Sequence, residues 1–301
     1  MELKNKNAGS FIAPALSAIF ILAVVFAFTD PAVSGFFRLP QKIKGIRMDR
    51  NFNFAGEEIP WNEDTRERLD RELTINAYWT ATTLLHVKMA IKHLPRISEI
   101  LAENGIPDDF KYLAVAESSL RNATSSASAK GFWQFMQPAG EEMGLEISED
   151  VDERFHFEKS THAACQYIKK LKSRFGTWTN VAAAYNIGPT KFAQKLAEQK
   201  ENSYYSMHLN EETSRYVFRI VAIKEILGNP SDFGYELESH DEYVPLITLK
   251  EVEVMETIQN LADFAHQHQT TYRLLKYYNP WLVSGKLTVK PGKKYLLKIP
   301  V

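Results

Sequence analysis

The 301-residue chain holds one cysteine, Cys165, which excludes an intramolecular disulfide. Its spacing from apolar neighbours predicts a small core residue. The chain also lacks an excess of either charge: 36 Lys and Arg stand against 37 Asp and Glu, for a formal net charge of -1. This weighs against a nucleic-acid partner, which needs a concentrated basic face. The eight histidines form no ligand set of convincing spacing. His86 and His93 lie seven apart without a third partner, so no metal and no cofactor is expected. Strand signals are nearly absent between Trp61 and Leu227, where the chain reads as a series of helices.

One long hydrophobic run is present. Lys4 and Lys6 precede an apolar stretch from Phe11 to Phe28, interrupted by Pro14 and Ser17. At about 18 residues it falls between a signal-peptide core and a full membrane span. Residues 1–29 therefore read as a signal peptide or a membrane anchor, and basic residues before the span place the body outside the cytoplasm. Ala32-Val33-Ser34 is a small-x-small cleavage candidate. No cysteine follows the run, so a lipid-modified N-terminus is excluded. Residues 30–60 read as a connector, 61–230 as a helical domain, 231–249 as a linker and 250–301 as a small separate module.

Asn62 is placed to cap a helix opening on Glu63-Asp64. Helices then run to Asn104, with Pro95 starting or breaking one of them and Gly105-Ile106-Pro107 closing the series. Asp108 or Asp109 is the expected cap of the next helix. There Phe110, Leu113, Ala114 and Glu117 fall at i, i+3, i+4 and i+7, which sets Glu117 on an apolar stripe. Tyr112, Val115 and Ala116 cover much of the remaining circumference. A carboxyl so placed either has its pKa raised by desolvation, as a general acid needs, or pairs with a buried Arg or Lys.

Residues 119–130 have loop composition. In Gly131-Phe132-Trp133-Gln134 a glutamine amide stands among bulky apolar groups and must find partners; Trp133 either stacks on a sugar or fills the core. Lys159 to Phe175 is amphipathic and ends at Gly176. Val181 to Tyr185 runs into the stop Asn186-Ile187-Gly188-Pro189, and Glu211 to Leu227 closes at Gly228-Asn229-Pro230. After the linker, Glu251 to Val254 as a strand, Thr257–His266 and Thr271–Tyr278 as helices and Lys294–Val301 as a strand predict a βααβ module.

Glu117-Ser118, Gly131-Phe132-Trp133-Gln134 and Ala183-Ala184-Tyr185-Asn186 resemble, in order and spacing, the three motifs of the soluble-lytic-transglycosylase-like domain. The likeness is greatest to the membrane-bound type D branch and covers residues 70 to 228. Glu212-Thr213-Ser214-Arg215-Tyr216-Val217 is similar to a fourth motif. The resemblance implies a mainly α, lysozyme-like catalytic domain that cleaves the β-1,4 bond between N-acetylmuramic acid and N-acetylglucosamine in peptidoglycan glycan strands. The product would be a 1,6-anhydromuramoyl end. Glu117 matches the catalytic glutamate, acting as acid and then base. Substrate-binding residues by the same resemblance are Ser126 (or Ser125, since the Glu117–Gly131 interval is one residue shorter than usual), Gln134, Tyr185, Asn186 and Glu212. Residues 250–301 resemble a divergent LysM module through Thr271-Tyr272-Arg273-Leu274-Leu275, Asn279-Pro280-Trp281-Leu282 and Pro291-Gly292-Lys293-Lys294, with Met255-Glu256-Thr257 replacing the usual glycine-aspartate-threonine opening. A monomer in the periplasm or cell envelope is expected, in contact with the cell membrane if the N-terminal segment is retained. The alternatives are a lysozyme-type hydrolase on the same scaffold and a non-catalytic peptidoglycan-binding protein.

Overall fold

A hairpin precedes the first helix, in a stretch whose composition predicts a connector. Strands β1 (Asn53–Phe54) and β2 (Glu57–Glu58) pair antiparallel. They join through Ala55 and Gly56 at φ 53° and 79°, the positive pair that a tight hairpin turn demands. Phe52, Phe54 and Ile59 are buried in the main core, so residues 52–59 belong to the helical body. Two-residue strands are too short to display alternation, which is why composition alone misplaces them. The computed structural model describes residues 45–243 and 248–301. The N-terminal segment read as a signal peptide or anchor lies outside the described residues, and among those residues no helix is long and apolar enough to cross a membrane.

Helix α1 (Glu63–Tyr78) starts as its sequence dictates: Thr65 N–H donates to Asn62 Oδ1 at 2.9 Å and Asn62 N–H to Thr65 Oγ1 at 3.2 Å, a capping box. Helix α2 (Thr80–Glu103) runs straight through Pro95, against the expectation of a start or break there. Pro95 forfeits one bond, to the carbonyl of Ile91, and both residues lie on the exposed face, where that loss is smallest. Gly105 at φ 63° closes α2, with Ile106 N–H donating to Leu101 O at 2.9 Å.

Asp108 and Asp109 form a single 3₁₀ turn with Phe110 and do not cap helix α3 (Lys111–Ser118). Asp109 has other partners: its Oδ2 accepts from Ala55 N–H and from Lys224 Nζ, each at 2.7 Å. That ties the hairpin to the C-terminal half of the helix that starts at Glu211. Helices α4 (Gln137–Glu142), α5 (Phe157–Phe175), α6 (Trp178–Ile187), α7 (Pro189–Gln199) and α8 (Glu211–Gly228) complete the body. Helix α3 is central, packed by α8 and α2. The Glu57 carboxylate caps α6 from the hairpin, accepting from Trp178 N–H at 2.7 Å and from Thr179 N–H and Oγ1 at 2.9 Å. Beyond α8, Tyr235 is buried and its hydroxyl donates to Ala77 O at 2.5 Å.

In the C-terminal module β3 (Leu249–Val254) and β4 (Tyr295–Pro300) pair antiparallel, Leu249 opposite Pro300 and Val254 opposite Tyr295. Helices α9 (Leu261–Gln267) and α10 (Tyr272–Tyr278) lie between them in sequence, the βααβ order predicted. Helix α9 starts later than its periodicity suggests. Asn260 Oδ1 caps it, accepting from Ala262 N–H at 2.8 Å, and Ile258 is held in a β-bridge to Leu287. Leu261, Leu275, Trp281, Leu282, Leu297 and Ile299 form the module's own core, and Val151 of the helical body is buried among them.

Candidate active site

The apolar stripe of α3 is as buried as its spacing requires: Phe110, Leu113 and Ala114 are inaccessible to solvent. Glu117 stands in its last turn and is half-buried. The helix ends abruptly because Ser119 and Leu120 both take left-handed φ of 54°, strain of about 1 kcal/mol or more per residue that surrounding contacts must offset. Two such contacts are evident. Ser118 Oγ donates to Phe132 O at 2.8 Å, and His86 Nε2 lies 2.9 Å from Ser119 Oγ.

Glu117 Oε1 accepts a hydrogen bond from the Tyr216 hydroxyl of α8. Burial pushes the Glu117 carboxyl up from 4.5 to about 7. The Tyr216 bond opposes that rise, the Glu212 charge adds to it and Arg219 draws it down. Burial and the Glu117 charge hold the phenols of Tyr185 and Tyr216 well above 10, so both stay protonated. The carboxyl is thus poised to change charge at neutral pH between two hydroxyls that do not.

The Gly131-Phe132-Trp133-Gln134 segment is a tight turn against the same helix. A Cβ on Gly131 would lie 1.8 Å from Arg154 O, and its φ is +81°, so only glycine fits. Trp133 is fully buried, its Nε1 donating to Thr161 Oγ1 at 3.0 Å, which settles it as a core residue. Its carbonyl accepts from the Tyr185 hydroxyl at 2.7 Å, leaving the phenol oxygen free to accept from a ligand. Gln134, at φ 50°, spends both amide hydrogens on Gly131 O at 2.8 Å and Ala123 O at 3.2 Å. Its Oε1 remains as an acceptor.

The remaining predicted residues divide. Asn186 Oδ1 accepts from Thr213 Oγ1 at 2.9 Å, joining the end of α6 to the start of α8. Glu212 is exposed and pairs with Arg219 at 3.2 Å. Ser125 Oγ accepts from Ala129 N–H at 3.0 Å, shaping its own loop. Ser126 stands exposed. Among the described residues neither serine hydrogen-bonds Glu117. Sequence reasoning missed Tyr216 as a partner of Glu117, although it falls at i+4 from Glu212 on one face of α8. It also missed Glu72, buried in α1, whose Oε1 accepts from Arg215 Nε at 2.5 Å. His86 and His93 face separate partners, His93 lying 5.1 Å from the Phe132 ring, and burial lowers both to about 4.

Residues 97–208 match the transglycosylase SLT domain family. Over that stretch the chain is similar to an SLT domain. Residues 250–301 match the soluble lytic transglycosylase C-terminal LysM-like domain. The membrane-bound lytic murein transglycosylase D proteins from two strains of Escherichia coli are each 30% identical over 199 residues, 63% of this chain and 43% of theirs. This chain therefore spans less than half the length of those relatives. A solved inactive mutant of the lytic transglycosylase Slt from Pseudomonas aeruginosa aligns at 18% identity with a TM-score of 0.40, over 61% of this chain and 31% of that one. The SLT match spans Glu117, Gly131 to Gln134 and Tyr185 to Asn186. Glu212 and Tyr216 lie just beyond it.

Proposed function

We propose that this chain is a peptidoglycan lytic transglycosylase in which Glu117 serves first as general acid and then as general base. The observation that carries the reading is the Glu117 carboxyl itself: inside the stretch similar to an SLT domain, hydrogen-bonded to Tyr216 and displaced by burial to about 7. A group with that proton affinity holds its proton and releases it with comparable ease at neutral pH, which one residue performing both steps requires.

In the first step the protonated Glu117 gives its proton to the bridging oxygen of the β-1,4 bond between N-acetylmuramic acid and N-acetylglucosamine. The bond from C1 to that oxygen breaks with help from the 2-acetamido group. The Tyr216 hydroxyl then stabilises the carboxylate left behind. In the second step this carboxylate takes the proton of the C6 hydroxyl as that oxygen attacks C1, closing a 1,6-anhydromuramoyl ring without water. Tyr185, its hydrogen held by Trp133 O, offers an oxygen to a sugar N–H. By the family resemblance Gln134 Oε1, Asn186 and Glu212 also bind the glycan strand in this reading, with Ser126 or Ser125 from the loop before Gly131. A cell-envelope location, with residues 1–29 as a signal or anchor, follows from the same reading.

Digestion of purified sacculi with mass spectrometry tests the reaction. Every cleavage should give a product lighter by one water, about 18 Da, than the hydrolytic product that a two-carboxylate glycosidase leaves. Hydrolytic products would place the chain among hydrolases instead. Glu117→Gln with undiminished activity would remove Glu117 from the mechanism.

A further inference from the structure

A short antiparallel bridge and several side-chain contacts, among them Lys298 with Glu158 and Lys92 with Tyr277, join the C-terminal module to the helical body. Residues 150–152 lie against residues 281–288 of the module. Val151 forms an antiparallel bridge with Leu282, Val283 N–H donates to Asp150 O at 2.9 Å and Asp152 N–H to Trp281 O at 2.9 Å. The buried Asp150 carboxylate accepts from Ser284 Oγ at 2.8 Å and Thr288 N–H at 3.0 Å. Flanking this seam, Glu146 accepts from Lys293 Nζ at 2.5 Å and Tyr295 Oη at 3.0 Å.

The seam continues into the candidate active site. The Asp152 carboxylate grips the buried Arg154 guanidinium through two bonds, 2.9 Å from Nε and 2.7 Å from Nη2. Arg154 Nη1 donates to Phe135 O and Ser128 O, each at 3.3 Å. The Arg154 carbonyl is the group against which Gly131 packs without room for a Cβ. Two residues thus separate the module's Trp281 carbonyl from the turn carrying Trp133 and Gln134.

We propose that the C-terminal module is a positioning element of the active site, holding the Gly131–Phe135 turn in place through Asp150, Asp152 and Arg154. The inference rests on the transglycosylase reading for its activity readout alone. Trp281 and Asp150 touch no reacting atom; they act through the buried Asp152–Arg154 pair. Such a pair transmits a displacement because neither charge can be left alone in a low-dielectric interior. The module is then required for turnover apart from any glycan it holds.

The test uses the full chain and reads hydrogen exchange beside turnover. The Lys130, Gly131 and Phe135 amides are bonded to Phe135 O, Ala123 O and Lys130 O, and their protection reports on the turn. Asp150→Ala strands the Thr288 N–H and leaves the Ser284 hydroxyl only Lys286 O, which should favour opening of the seam about ten- to a hundredfold. Those three amides should exchange faster by a like factor and turnover should fall with them. Asp150→Asn, which keeps one acceptor, should recover part of both. Lys293→Ala, a milder cut, should move both the same way by less. Lys294→Ala, which removes only the exposed pair with Glu253, should change neither. Faster exchange confined to residues 281–301, with the 130–135 amides and turnover untouched, would overturn the proposal. If wild-type chain leaves sacculi uncut, the transglycosylase reading fails while the exchange data still decide the positioning role.

Discussion

Glu117→Gln should make the protein more stable above neutral pH while abolishing its activity. Burial raises the wild-type carboxyl from 4.5 to about 7, so the folded state prefers the protonated acid. Between those values the folded chain holds a proton that the unfolded chain has released, and wild-type stability falls as pH rises through the window. A tenfold change in proton affinity is about 1.4 kcal/mol, which puts the full penalty at about 3 kcal/mol once the carboxylate is ionised. Glutamine keeps an acceptor for Tyr216 and has no charge to bury, so it avoids the penalty. The variant's advantage should be flat below pH 4.5, grow through the window and level off above pH 7 at about 2–3 kcal/mol. For a chain of this size that is a gap in Tm of about 5 °C or more. Thermal or urea unfolding of both proteins from pH 4 to 8 measures it, and every other carboxylate cancels in the difference. Parallel stability curves across that range would mean that Glu117 is not desolvated, and the acid–base assignment would lose its physical basis.

The same titration predicts that kcat/KM declines above about pH 7, about tenfold for each further pH unit, as the acid form is lost; a pH–rate profile reads it. Tyr216→Phe removes the hydrogen bond that favours ionised Glu117, so the declining limb should move to higher pH and turnover should fall about ten- to a hundredfold. Gly131→Ala forces a Cβ onto Arg154 O at positive φ and should lower unfolding free energy by about 2–4 kcal/mol in urea titration. Glu57→Ala removes the acceptor of the first two N–H groups of α6, with Thr177 still holding that of Asn180, and should lower it by about 1–2 kcal/mol, leaving the pH profile in place.

Helical periodicity was readable wherever one face packs against the core. Helix α5 ends at the predicted Gly176, α8 starts at the predicted Glu211, and α1 is capped by Asn62 as its first turn suggests. Failures fall where tertiary contacts outweigh local preference. The Asn53–Glu58 hairpin is too short to show a period, yet Phe52 and Phe54 are core residues and Glu57 completes another helix. Asp109 has the chemistry of a cap, but Lys224, 115 positions away in sequence, competes for its carboxylate. Pro95 stays inside α2 because the bond it breaks lies on an exposed face.

The site was legible as a set of positions rather than as a set of contacts. Spacing put Glu117 on an apolar stripe and left open whether it would be a desolvated acid or one half of a buried ion pair. The fold assigns those two roles to different glutamates. Glu72, with Arg215 at 2.5 Å, is the buried ion pair, while Glu117 takes its hydrogen bond from the neutral hydroxyl of Tyr216 and feels Arg219 through space. Helix α8 makes this division: Arg215 turns towards α1 and Glu72, while Tyr216, one residue on, turns towards α3 and Glu117. A step of about 100° between successive helix residues is enough to separate them. Had a guanidinium paired directly with Glu117, its pKa would fall further than the Arg219 charge already draws it, against the proposed acid step. What keeps Glu117 protonatable near neutral pH is therefore the register of α8 against α3, a property of packing that no local motif encodes.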